Sequence, residues 1–311
     1  MSGVRYSVVV PVYNEQEVLP EFYGRLAVAL DGLGDPLEIV FVNDGSRDRS
    51  LELLKGFHAA DKRVRIVSLS RNFGHQAAIT AGLTLARGSA VAILDADLQD
   101  PPELLPKFFA ALDQGYDVVY GIRAERKEGA AKRLAYFVFY RLLRHMAEIE
   151  VPLDSGDFCA MSRRAVDHLN ALPESARFLR GLRAWLGFRQ LGIPYERDRR
   201  HAGDPKYTVS KLVTLSIDGL LSFSTAPLRA IAGVGLVVSS LSFLGILIIL
   251  YRYLFTPYVA GYTSLAMLIL FIGGIQLLTL GVIGEYIGRI SAQVRGRPQF
   301  VVDELTGFDH V

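Results

Sequence analysis

Four short apolar runs recur in the first hundred residues: Ser7–Val12, Leu37–Val42, Val64–Leu69 and Ala90–Leu94. Each is followed by a segment whose apolar residues fall at helical spacing, namely Glu15–Leu33, Asp48–Ala60, His75–Arg87 and Pro101–Gln114. Short β-branched runs alternating with amphipathic helices predict a parallel sheet with helices on its faces. A fifth strand is expected at Tyr116–Gly121. Asp48 and Asp100 are the expected N-caps of their helices, with Pro101 and Pro102 in the first turn. Ligands of such sheets bind beyond the carboxyl ends of the strands. Polar residues gather at those ends: Tyr13-Asn14-Glu15, Asn43-Asp44-Gly45-Ser46, Arg71-Asn72-Phe73-Gly74 and Asp95-Ala96-Asp97-Leu98-Gln99. Four strand ends therefore face one crevice.

The pattern changes beyond Gly129. Leu134, Phe137, Val138, Leu142 and Met146 share a helical stretch with Lys132, Arg133, Arg141 and Arg144, which reads either as an interfacial helix or as a core helix of the first domain. Val209–Phe223 is a second amphipathic stretch that leads into Pro227. Two uncharged apolar segments follow, Ala230–Leu250 and Ser264–Ile283, each long enough for a hydrocarbon core of roughly 30 Å. Arg229, Arg289, Arg295 and Arg297 lie outside the pair and only Arg252 lies between them, so the positive-inside rule puts both termini on the cytoplasmic side. The aromatics Tyr251, Tyr253, Phe255, Tyr258 and Tyr262 suit the far interface.

Composition agrees with a chain that is partly membrane-bound. Half of the 311 residues are hydrophobic, and the net charge is only +2, which implies no nucleic-acid partner. The single cysteine, Cys159, excludes an internal disulfide. With no hydrophobic leader before Tyr6, the N-terminal portion is expected in a reducing cytosol, and Cys159 is read as a buried small hydrophobe.

The chemistry centres on Asp95–Gln99. Two carboxylates and an amide at a spacing of two, on an extended strand end, turn their oxygens to one side and form a site for a hard cation, Mg²⁺ or Mn²⁺. Positions left open on such an ion are filled by substrate phosphates, which is the D-x-D arrangement of nucleotide-sugar transferases. The sequence contains no G-x-x-x-x-G-K-[ST] loop and no G-x-G-x-x-G after the first strand, so neither ATP hydrolysis nor a dinucleotide cofactor is supported. Asp44 reads either as the acceptor of an Asx turn or as a carboxylate facing a nucleobase or ribose. Asp157 reads as ordering a strand-to-helix connection, with Phe158–Met161 the strand and Ser162 the N-cap of Arg163–Ala171, or as a carboxylate near the reaction centre. Arg123 and Lys206 are read as meeting a phosphate, and the other cations of the two basic clusters as surface or lipid contacts. His75 and His201 lack a second metal-type partner at useful spacing and are taken as structural or peripheral. Trp185 is taken as an apolar anchor.

Taken together, Val10–Glu15, Asn43–Ser46, Arg71–Gly74, Asp95–Pro102, Gly156-Asp157-Phe158, Arg200–Tyr207 and Gly284–Arg289 resemble the inverting family 2 glycosyltransferases that act on polyprenyl phosphates. That group includes dolichol-phosphate mannose synthases and bacterial undecaprenyl-phosphate glucosyl transferases, and the last motif looks like the bacterial two-helix branch. The resemblance covers nearly the whole chain. It implies an α/β fold of GT-A type with a Rossmann-like, mostly parallel sheet in residues 1–207, including an interfacial helix near 130–147. A juxtamembrane helix at 208–226, two transmembrane helices at about 229–253 and 263–287, and a cytoplasmic tail at 289–311 would follow. Pro11, Tyr13, Glu15, Asp44, Phe73 and Asp95 would hold the nucleotide sugar, and Asp95, Asp97 and Gln99 the metal. Asp157 would stand with Asp97 at the reacting sugar, and Arg123, Arg126, Arg133, Arg200 and Lys206 would receive the lipid phosphate. Pro205 departs from the serine usual before that lysine.

The implied reaction moves a hexose, glucose from UDP-glucose in the first instance, onto polyprenyl phosphate at the bacterial inner membrane, in a homotetramer. GDP-mannose is the alternative donor. A processive polysaccharide synthase is disfavoured because Arg183-Ala184-Trp185 breaks its Gln/Arg-x-x-Arg-Trp motif, and a non-catalytic membrane scaffold does not account for the four polar strand ends.

Overall fold

The computed structural model describes residues 3–123, 155–174, 177–196 and 262–308, with scattered positions between 233 and 255. Eight strands form one sheet: β1 (Tyr6–Val12), β2 (Leu37–Asn43), β3 (Val64–Leu69), β4 (Ala90–Ile93), β5 (Val118–Arg123), β6 (Ser155–Ser162), β7 (Gln190–Tyr195) and β8 (Val302–Thr306). Their order across the sheet is β7-β5-β6-β4-β1-β2-β3-β8. The expected alternation is present: β4, β1, β2 and β3 run parallel, connected through α1 (Leu19–Asp31), α2 (Ser50–Ala60) and α3 (His75–Leu85). Two antiparallel strands qualify the parallel sheet, β6 between β4 and β5, and β8 on the far edge beside β3.

Burial accounts for the strand composition. All seven residues of β1 are buried, because a central strand is covered on both faces and reads as a continuous apolar run. Phe22, Leu26, Phe41 and Leu54 pack with Val8, Val10 and Ile39 in the main core, where each phenylalanine contributes on the order of 2 kcal/mol. On α3, Gly82 admits a close approach to β1, since a Cβ there would lie 2.2 Å from Val9 Cγ1. Glu38, 1% exposed, accepts from Ser7 Oγ at 2.7 Å and the Arg87 backbone N–H at 2.7 Å and is ion-paired with the guanidinium of Arg65 at 2.9 Å.

The order in which strands are added reverses at β1, with β2 and β3 on one side of it and β4 on the other. The crevice between the carboxyl ends of β1 and β4 is therefore the topological switch point of the sheet.

Several local expectations change. The second and fourth helical segments begin differently: Asp48 sits one residue before the N-cap position Arg49 and accepts from the Ser50 and Gln16 backbone N–H groups at 3.0 and 3.2 Å. Asp100 does not cap a helix. It is 1% exposed and accepts the Tyr195 hydroxyl, while a 3₁₀ turn, Pro102–Leu104, precedes α4 (Leu105–Asp113). Ser162 caps α5 (Arg163–Ala171) as expected, accepting from the Ala165 N–H at 3.3 Å. Trp185 ends the short helix α6 (Leu179–Trp185) and is 57% exposed, so it is not packed in the core of this unit. The tail also differs, because Val302–Thr306 returns to the sheet as β8, with Lys55 and Glu304 paired at 2.8 Å and Gln299 donating to the Glu174 carbonyl.

A second compact unit contains α7 (Tyr262–Val294), 33 residues with Leu268, Phe271, Leu277 and Leu280 exposed. At 1.5 Å per residue it is about 50 Å long. Its stretch Phe271–Val294 is long and apolar enough to cross a membrane and is the one such helix among the described residues. The expected first span, 229–253, falls mostly outside them, although the positions described there are helical. The expected interfacial helix near 130–147 and the juxtamembrane helix at 208–226 also lie outside the described residues.

Candidate active site

The D-x-D segment leaves β4 at Ile93 and turns, so it is not an extended strand end. Leu98 adopts φ 60, a left-handed conformation that is strained for a leucine. The side chains nevertheless alternate: Ala96, Leu98 and Asp100 are buried at 3%, 0% and 1%, whereas Asp95, Asp97 and Gln99 remain partly accessible. Burial of Leu98 is what holds the turn in register. Asp97 Oδ1 accepts from the Gln99 backbone N–H at 3.1 Å.

Opposite this turn stands Asp157. β6 runs antiparallel to β4 with Ile93 paired to Cys159, so that Asp95, two residues after Ile93, and Asp157, two residues before Cys159, lie at the same end of the two strands. His75, at the start of α3, lies between them, with Nε2 3.5 Å from Asp95 Oδ1 and 3.3 Å from Asp157 Oδ2. It is therefore a central residue of the site and not a peripheral one. A signal was available in its position, directly after the Arg71–Gly74 loop that already pointed into the crevice. Gln76 and Arg180 complete the cluster, donating to Asp157 at 3.1 and 2.9 Å. Nothing in their spacing along the chain marks either one.

Electrostatics follow from this crowding. Burial pushes Asp95 up to about 6, with Asp157, Asp97 and Asp100 adding to the effect and His75 opposing it. Burial pushes Asp157 in the same direction, but Arg180 and His75 outweigh it and hold that carboxyl well below the usual range. Burial lowers His75, yet its hydrogen bond to Asp157 and the charge of Asp95 raise it to about 9.

The loops from β1, β2 and β3 build the other wall. Asn43, not Asp44, closes the turn after β2, its Oδ1 accepting from the Ser46 N–H at 3.1 Å. Asp44, 3% exposed, accepts from the Phe73 and Gly74 N–H groups at 2.7 and 2.9 Å and so fastens the loop that precedes α3. Burial raises its pKa against the pull of those two bonds. Gly45 is required at φ 64, where a Cβ would fall 2.5 Å from the Arg71 carbonyl carbon. Asn14, at φ 55, accepts from the Arg47 N–H at 2.8 Å, and the Glu15 N–H donates to Ser50 Oγ at 2.9 Å. Pro11 is buried within β1, Tyr13 is 37% exposed, and Phe73 lies under the Arg71 guanidinium at 4.0 Å. All six residues expected at a nucleotide sugar thus sit on loops or strand ends of the same sheet edge. Arg123 lies at the end of β5, where Ile122 pairs with Ser155, and its Nε is buried with no hydrogen-bond partner among the described residues. Arg126, Arg133, Arg200 and Lys206, with Pro205 and His201, lie outside the described residues.

Among the described residues no three His, Cys, Asp or Glu side chains converge on one metal position. The donor set is the open one of Asp95, Asp97 and the Gln99 amide. Asp95 Oδ1 is buried and accepts no hydrogen bond among the described residues, with His75 Nε2 its ion-pair neighbour at 3.5 Å, which leaves it lone pairs for a cation. These donors fit Mg²⁺ or Mn²⁺ shared with a ligand's oxygens.

Residues 7–169 match glycosyl transferase family 2. The chain belongs to that family. Its relatives extend over its whole length: it is 46% identical to the uncharacterized glycosyltransferase YkcC of Bacillus subtilis, over 99% of this chain and 96% of that protein. It is 40% identical to the uncharacterized glycosyltransferase sll0501 of Synechocystis, over 99% and 98%. A bactoprenol glucosyl transferase derived from prophage SfII in Shigella flexneri is 40% identical over 96% of this chain and 97% of its own length. This family 2 glycosyltransferase therefore carries the α/β, mostly parallel sheet expected from its sequence, with its acidic cluster at the switch point.

Proposed function

We propose that this glycosyltransferase moves a hexose, glucose from UDP-glucose first, onto undecaprenyl or another polyprenyl phosphate, with inversion at the anomeric carbon. The observation that carries the reading is that Asp95, Asp97 and Gln99 lie at the same end of the sheet as Asp157 and Arg123, with His75 bridging Asp95 and Asp157. The acceptor is supported by the name of the Shigella relative and by the apolar helix α7, which suits a lipid whose phosphate stays at head-group height. The catalytic unit and both termini belong on the cytoplasmic face of the bacterial inner membrane in this reading.

Pro11, Tyr13, Glu15, Asp44 and Phe73 hold the base and ribose, Asp44 through the loop that it fastens. A metal held by Asp95, Asp97 and Gln99 would supply the charge that stabilises the departing nucleoside diphosphate. Arg123, with Arg126, Arg133, Arg200 and Lys206, orients the acceptor phosphate, whose second pKa of about 6 leaves it largely dianionic at neutral pH without a protein base. Asp157, ionised and buried, positions the acceptor or stabilises positive charge developing on the sugar.

The test is release of UDP from UDP-glucose by the purified full-length protein in detergent when undecaprenyl phosphate is added. Release that requires Mg²⁺ or Mn²⁺ and stops with EDTA is expected. Asp157→Asn should keep turnover within roughly tenfold of the wild type, against the 10²–10⁴-fold loss of an obligatory base. No release with UDP-glucose, UDP-galactose or GDP-mannose, while the sugar nucleotide still binds, would overturn the reading. Release with GDP-mannose alone would select the mannose alternative.

A further inference from the structure

Asp157 is gripped from two helices by groups that the transfer itself does not call for. Gln76, in the first turn of α3, donates through Nε2 to Asp157 Oδ2 at 3.1 Å, and its Oε1 accepts the Leu179 backbone N–H at 3.0 Å. Leu179 is the first residue of α6. One amide therefore ties the start of α3 to the start of α6 and to β6 at once. The next residue of α6, Arg180, closes the grip, with Nε donating to Asp157 Oδ1 at 2.9 Å and Nη2 to Oδ2 at 3.3 Å. The carboxylate is 4% exposed and the guanidinium side chain 36%. Both carboxylate oxygens thus have charged or amide donors whose directions are set by separate helices, an arrangement that fixes orientation as well as charge.

The geometry points to Gln76 and Arg180 as positioning residues, which clamp Asp157 between α3 and α6 and so hold its carboxylate against His75 and Asp95 at the transfer site. Neither needs to touch substrate for this. The catalytic part of the inference rests on the transfer reaction proposed above, whereas the clamp rests on geometry alone.

Two measurements on the full-length protein in detergent keep those parts separate. The first is a thermal double-mutant cycle of Arg180→Gln with Asp157→Asn. Arg180→Gln alone should lower Tm by about 5 °C, and the double variant should fall no further than the worse single one, because the second change removes the charge that the first left buried. Additive Tm changes would overturn the clamp, whether or not the protein uses polyprenyl phosphate. The second is steady-state kinetics with UDP-glucose and undecaprenyl phosphate. Arg180→Gln and Gln76→Leu should each lower kcat roughly 3–10-fold, no further than Asp157→Asn, with both KM values within about twofold, and Arg180→Lys should recover part of the loss. A change confined to KM for the lipid phosphate would overturn the positioning role, since Arg180 would then be a substrate contact. Unchanged kcat in Gln76→Leu would overturn it for Gln76. Wild-type protein without transfer overturns the reaction, and with it the catalytic role, and leaves the clamp to be decided by the thermal cycle.

Discussion

His75 is the residue whose neighbourhood makes the sharpest demand. Asp95, Asp157, Asp44 and Arg180 are charged groups that act on it, and Asp157 and Asp95 prevail, against burial and Arg180, in raising it from 6.5 to about 9. A group whose folded pKa lies above its unfolded one contributes stability that is complete below the unfolded value and vanishes as pH rises through the folded value. His75→Gln should therefore lower Tm most below pH 6.5, with the gap to wild type closing between about 6.5 and 9. A gap that stays constant across that range would refute the ion-pair account. At this scale the sequence shows which residues are chemically capable and not which are neighbours. Asp95, Asp97 and Gln99 were legible because their spacing within one segment confines them to a single side. Gln76 and Arg180 were not, since a lone amide and a lone arginine on amphipathic helices look like any solvated pair.

Elements divide in the same way. β1 to β4 and their helices were legible as long apolar runs with turn residues between them, and burial of Val8, Phe41, Ile66 and Ala92 gives the reason. β8 was not, because Val302–Thr306 carries Asp303 and Glu304 and has the exposure of an edge strand, which a hydropathy pattern does not distinguish from a tail. It covers the outer edge of β3, with the Ser70 N–H donating to the Val301 carbonyl at 3.0 Å and Arg65 stacked on Phe308. Truncation after Arg297 should expose that edge, lower Tm by several degrees and promote association between copies. Equal Tm and light scattering for the truncated and full chains would show that β8 is dispensable. The β3 terminus also leads into Arg71–Gly74, so loss of nucleotide affinity is expected alongside.

For the whole molecule, the expected outcome follows from α7. A helix about 50 Å long with exposed leucines and phenylalanines exceeds a hydrocarbon core of roughly 30 Å, so it should keep the protein in the membrane fraction through alkaline carbonate and high salt. Extraction by carbonate alone would mean surface attachment only. Hydrophobic periodicity, readable from the sequence itself, determined that the chain has an α/β unit with strand-end chemistry and an apolar stretch of membrane length, because both are properties of contiguous residues. Tertiary structure decided what meets what. β6 enters antiparallel beside β4, and the pairing of Ile93 with Cys159 brings Asp157 to Asp95 across 62 positions of chain. Local pattern carries no information about that register, because it is set by the packing of strands remote in sequence, and the site's electrostatics exist only once it has formed.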